Sequence, residues 1–308
     1  MDEEHRSVNG ATRESAGGSV PPYLHIADVL RGEIVDGSYP VGERIPSQAE
    51  LEERFNVSRP TVQRALGELR KDGYIDNQRG RPAEVLPWQE SGGATGDWSD
   101  QPAPASTSLV AYVAEAFEQR EVTIDSYSLT TETLARALVP AVQRVEQGEL
   151  RPESVTIRLL LPSLDAHLGV PQLVGDPTDD RPLRRLRQIV EGHVISLRST
   201  FTALSELAPW IQSSVEFKTV PLTPMQKLYL FNGHTVLGGY YRVVPREVPL
   251  GDGERGEIHD VLGLSAQLFP YRSDPADPGS RDSLFVQESQ AWFNSLWSTI
   301  ATPLRLSE

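Results

Sequence analysis

The stretch from Ile45 to Leu86, IPSQAELEERFNVSRPTVQRALGELRKDGYIDNQRGRPAEVL, leaves the chain few choices of local structure. Ser47 stands just before an apolar-periodic segment and Glu50 follows three residues later, the reciprocal capping pattern of a helix start. Asn56-Val57-Ser58 interrupts that helix, and Ser58 is placed to cap a second one running to about Asp72. In this second helix Val62, Ala65, Leu66 and Leu69 fall at i, i+3, i+4 and i+7. They form one buried stripe and leave Arg59, Gln63, Gly67 and Lys71 on the other side. Gly73 supplies a left-handed stop. Tyr74–Asn77 and Ala83–Leu86 then read as two short strands, with Gln78-Arg79-Gly80-Arg81-Pro82 as a turn bearing two guanidinium groups. Two helices joined by a short turn and followed by a basic hairpin make a helix-turn-helix with a wing.

The order of residues from about 21 to 87 resembles the GntR family of bacterial winged-helix repressors. The pattern is carried by Gly32 and Ile34, Gly37–Gly42, Ile45-Pro46-Ser47, Leu51, Phe55–Arg59, Thr61-Val62, Ala65-Leu66, Leu69, Gly73 and Gly80. The resemblance implies a head that binds double-stranded operator DNA as a homodimer, with a first helix from Pro21 to Gly37 packed behind the reading helices. In a helix-turn-helix the leading half of the second helix faces base edges, where arginine pairs with guanine and glutamine with adenine. The expected DNA contacts are therefore Ser58, Arg59, Thr61, Gln63 and Arg64, with Arg79, Gly80 and Arg81 from the wing. Arg44 and the amides of the helix capped by Ser47 suit a phosphate. Ala49, Pro60 and Gln63 depart from the family at contact positions, which leaves the operator sequence open.

The net charge of −14 looks wrong for a DNA binder until it is divided along the chain. Residues 58–81 carry six basic groups against three acidic ones, whereas residues 89–308 carry eighteen basic and twenty-eight acidic. Phosphate is attracted to one helix and its hairpin and repelled by the rest. The absence of cysteine removes disulfides, thiolate metal sites and cysteine nucleophiles. No apolar run approaches the roughly 18 residues of a membrane span. The polar start MDEEHRSVNG is unlike a secretory signal, so a cytoplasmic protein, nucleoid-associated when bound to DNA, is expected.

Four segments follow: a disordered tail over 1–20, the winged head over 21–87, a Gly/Ser/Pro-rich linker over 88–108, and an α/β effector-binding or dimerisation domain over 109–308. In the last, Leu109–Gln119, Thr131–Gln147, Leu183–Leu207 and Arg281–Leu304 have helical patterns. Glu121–Ser126, Ser154–Leu161, Ser213–Val220, Gln226–Phe231 and Val236–Val244 read as strands, with Asn232-Gly233 as a hairpin turn. The six histidines are scattered at 5, 25, 167, 193, 234 and 259, so neither a metal nor a cofactor is expected.

The stretch from Val220 to Tyr240 resembles, thinly, the phospholipase D superfamily, whose signature sets His-x-Lys on one face of a strand. Laid on that frame, Lys227 and Gly239 match, Asn232 stands in for an aspartate, and Met225 occupies the histidine position, where it cannot attack phosphorus. The resemblance implies a phospholipase D-like fold without catalysis; a chorismate-lyase-like ligand domain is the alternative. On the first reading Asp125, Tyr127, Lys227 and Asn232 line a pocket for a small anionic or phosphorylated effector. The whole chain then reads as a ligand-responsive repressor on a near-palindromic operator. The alternatives are a DNA-tethered phosphodiesterase or nuclease, and a regulator whose C-terminal domain binds a protein partner and no small ligand.

Overall fold

In the computed structural model the described residues are 22–35, 39–71, 73–76, 81–86, 102–251, 253–261, 263, 264 and 266–306. The expected tail over 1–20 lies outside them, as do residues 88–101 of the expected linker with Trp88 and Trp98.

The head contains α1 (Pro22–Val35), α2 (Gln48–Phe55) and α3 (Arg59–Lys71). Ser47 adopts the extended backbone of an N-cap. Its hydroxyl accepts from the Glu50 amide, and the Glu50 carboxylate accepts from the Ser47 amide at 2.7 Å. Asn56 then turns left-handed at φ 49°, which ends α2 and swings the chain into α3. Val62, Ala65, Leu66 and Leu69 are all buried against Ile26, Leu30 and Ile34 of α1 and against Leu51. Gly73, at φ 76°, stops α3 as the sequence implies. Beyond it Ile75 pairs antiparallel with Val85, and Arg44 with Glu84, so a third strand from the 43–45 loop joins the two expected ones. The bidentate Arg54–Glu33 pair ties α2 to α1.

The body is a separate α/β unit, and it starts earlier than the expected linker end at 108. Ala103-Pro104 already form an edge strand, β1, and α4 runs from Ala105 to Phe117. Its first turn, Ala-Ser-Thr-Ser, is polar enough to read as linker. The Ser108 hydroxyl nonetheless donates to the Pro104 carbonyl and Ala105 is fully buried.

Then come β2 (Glu121–Tyr127), α5 (Glu132–Glu146), β3 (Ser154–Pro162), β4 (Gln172–Leu173), α6 (Arg181–Leu207) and β5 (Gln212–Val220). They are followed by β6 (Gln226–Phe231), β7 (Thr235–Tyr240), β8 (Val243–Gly251), β9 (Glu254–Val261), β10 (Gln267–Arg272), α7 (Arg281–Ser298) and β11 (Thr302–Pro303). One eight-stranded sheet has the order β1-β10-β7-β6-β2-β3-β5-β11, and a small second sheet has the order β4-β9-β8. The centre, β2-β3-β5, is parallel and its crossovers are α5 and α6; the strands outside it pair antiparallel.

Two strand and helix expectations need correction. Val236–Val244 is not one strand: it leaves the main sheet after Tyr240, and Val243 begins the second sheet opposite Val261. The last helix stops at Ser298, because Thr302-Pro303 pair with β5 as an edge strand, where proline needs no donor. The sheet is covered on one face by α4, α5 and α6 and on the other by α7, giving three layers with two apolar cores.

Candidate nucleic-acid interface

On α3 the buried stripe faces α1, so the opposite face meets solvent with Arg59, Gln63 and Gly67 exposed. Gln48, in the first turn of α2, reaches this face. Its Oε1 accepts from Arg59 Nε at 3.3 Å and from Gln63 Nε2 at 3.3 Å. The terminal nitrogens of Arg59 keep no partner among the described residues, and they are the fork that guanine O6 and N7 require. Gln48 was not legible as a site residue, because nothing in its position after Ser47 says that α2 crosses the front of α3. The only signal is that it opens the helix.

The remaining expected contacts divide. Ser58 and Thr61 share a hydrogen bond between their hydroxyls at 3.0 Å, which fixes both at the leading edge of α3. Ser58 also accepts the first helical amides, those of Thr61 and Val62, through its carbonyl. Pro60 sits in that first turn, where no internal donor is lost. Arg64 turns away from Arg59 and stacks on the Tyr23 ring of α1, with Cζ 4.5 Å from the centroid. It is exposed, but its guanidinium lies to the side of the reading face.

Ser47 spends its amide on Glu50, whose carboxyl is thereby held below its usual range by both hydrogen bonds to Ser47. The amides left for a phosphate at the start of α2 are those of Gln48 and Ala49. Arg44 is exposed and pairs across the small sheet with Glu84. Arg81 is exposed at the base of the wing, while Arg79 and Gly80 lie outside the described residues. Arg70, at the far end of α3, donates to the Asp76 carbonyl and anchors the wing strand to the helix.

Residues 22–85 match the family described as bacterial regulatory proteins of the gntR family. The head is a gntR-family domain. The chain is 31% identical over 125 residues to the uncharacterized HTH-type transcriptional regulator YisV of Bacillus subtilis (strain 168), a match spanning 40% of this chain and 26% of that protein. It is 33% identical over 73 residues to the histidine utilization repressor of Pseudomonas putida, covering 24% of this chain and 29% of the repressor. Among solved structures, the DNA-binding domain of AraR in complex with operator ORR3 is 25% identical, with 27% of this chain and all of that one covered and a TM-score of 0.22. The alignments thus span about a quarter of each of these two curated relatives.

In the body the four expected ligand residues are not brought together. Register opposes Asp125 to Leu230 and Tyr127 to Leu228, which puts these two on the α7 face. There Asp125 is buried and held by Arg158 at 2.7 Å and by Gln290 at 2.8 Å, and Tyr127 meets Trp292 edge to face. Lys227 alternates to the other face, under α5. Asn232 is spent on the hairpin turn: it is left-handed at φ 50°, its Oδ1 accepts from the Thr123 amide, and its Nδ2 donates to the Ala116 carbonyl. The single pocket expected from these residues is therefore corrected by the two-residue period of the strands. Gly239, the other match to the phospholipase D frame, has a packing reason. A Cβ there would stand 2.3 Å from the Gln267 carbonyl oxygen.

Proposed function

We propose that the chain is a DNA-binding transcriptional regulator whose gntR-family head inserts α3 in the major groove. The observation that carries this reading is the outward-facing Arg59–Gln48–Gln63 cluster, a guanidinium and two amides on an otherwise featureless helix face. Phosphate contacts come from Arg44, the first amides of α2, and the wing residues Arg79, Gly80 and Arg81, and Ser58 and Thr61 hold the leading edge. Two heads on a two-fold operator would follow from a homodimer. The name of one relative, a histidine utilization repressor, supports repression as the mode of action.

The α/β body is read as the effector-binding or dimerisation part. Its three layers and the position of Lys227 support a phospholipase D-like frame without hydrolysis, since Met225 is exposed and offers no nucleophile. Genome-wide footprinting of bound DNA, followed by gel shifts on the sites found, tests the reading. Two-fold related half-sites and loss of binding in Arg59→Ala are the expected results. Binding that survived both Arg59→Ala and Arg81→Ala with unaltered sequence preference would remove it.

A further inference from the structure

The body buries incompletely satisfied polar groups on the sheet face near the N-terminus of α5, and they belong to no surface described so far. Lys227 is 2% exposed and makes one hydrogen bond, Nζ to the Thr133 hydroxyl at 2.8 Å; Nζ also lies 5.5 Å from the centroid of the Tyr241 ring, and among the described residues it has no ion pair. Ser126 lies on the same sheet face, directly opposite Tyr229, two residues from Lys227 along β6. Its hydroxyl is buried and has no partner among the described residues, and the same holds for Thr131, the residue that precedes α5.

Buried hydroxyls without partners are costly, and two of them, Ser126 and Thr131, beside a buried ammonium at a helix N-terminus are not expected of a core that packs for stability alone. The nearest anionic group, Glu132, is already engaged by Arg136. Placement agrees as well. The nest lies at the carboxyl end of β2, where the sheet passes from its parallel half to its antiparallel half, and ligands of open α/β sheets bind outside such strand ends. Burial without a bonded carboxylate pulls the Lys227 ammonium down to about 7.

We propose that this nest, Lys227 with Ser126, Thr131 and the first amides of α5, is a binding site for the phosphoryl or carboxylate group of a small ligand. An oxyanion supplies the acceptors the nest lacks and the charge Lys227 lacks, and the positive end of α5 adds to both. The site shares only Lys227 with the phospholipase D frame, whose other positions lie in the hairpin turn, on the surface or in a packing contact. It deepens the reading of the body as the effector-binding part and names the chemistry of what it takes.

The test is thermal melting of the full chain without DNA, so that it stands or falls independently of operator binding. Inorganic phosphate and acetate, each at tens of millimolar, are compared with chloride at equal ionic strength. Phosphate is expected to raise the melting temperature by about 2–5 °C, and acetate reports whether a planar carboxylate suffices. Thr131→Val and Lys227→Met remove a buried donor each. Both are expected to melt no lower than wild type in chloride and to lose the oxyanion-dependent rise, a pairing that misfolding does not produce. Ser126→Ala serves as the milder third variant. No rise with either anion in the wild type overturns the site. So does a rise that persists in Thr131→Val and Lys227→Met but vanishes in Arg59→Ala, which would locate the anion on the head.

Discussion

Arg59 is where side-chain geometry becomes a statement about recognition. Gln48 accepts from its Nε and so aims the terminal nitrogens away from the protein. Arg59→Ala is expected to weaken specific DNA binding by about 1–3 kcal/mol, roughly five- to 150-fold, and to relax the preference at one base pair, as read by competition gel shifts. Gln48→Ala should produce a smaller loss, because it removes the aim and leaves the charge. Lys227 makes a prediction of the opposite sign. Its folded-state value, about 7, lies far below the ordinary lysine value of an unfolded chain. Between about pH 7 and 10 the unfolded chain therefore holds a proton that the folded one does not, and stability rises with pH; below about 7 the full penalty applies. Lys227→Met is accordingly expected to stabilise the apo body by several kcal/mol at neutral pH, with an advantage that shrinks as the pH approaches 10. Urea unfolding of both proteins across that range measures it.

At the level of elements, what was legible was whatever one element settles alone. The capping box at Ser47, the left-handed stops at Asn56 and Gly73 and the stripe on α3 are local, and each fell where the residues put it. So did the Asn232-Gly233 turn, both residues at positive φ. Ser47→Ala is expected to lower the stability of the head by about 1 kcal/mol, since it removes the hydroxyl that accepts from the Glu50 amide and leaves only the other half of the box. What failed were inferences that need two elements at once. Asp125 and Lys227 look like partners in the sequence, but only the pairing of β2 with β6 says that they face opposite layers. The start of α4 was hidden because its first turn is polar and its burial depends on the pairing of the edge strand β1 with β10. Gly239 matched a catalytic frame while its cause was a carbonyl oxygen twenty-eight residues away in sequence. Gly239→Ala should destabilise the body by about 1–3 kcal/mol, because β7 and β10 must separate to admit a methyl group. Chemical denaturation followed by the tryptophans of α7 reports it.

For the whole molecule the controlling quantity is the distribution of charge. A basic helix and wing on an otherwise acidic chain can hold DNA through the head alone, and the acidic body is kept off the duplex. Few phosphate contacts imply a shallow dependence of affinity on salt, with a logarithmic slope of about −0.9 for each phosphate neutralised. In the function proposed above, the body controls how two heads are presented to DNA, and an oxyanion in the nest under α5 is the proposed signal for it. The measurement that bears most directly on this account is selection of bound sequences from random duplex DNA with the wild-type chain and with Arg59→Ala. The expected result is a two-fold symmetric wild-type motif with a guanine in each half-site whose preference disappears in the variant while the rest of the motif remains. An identical motif from both proteins would contradict it.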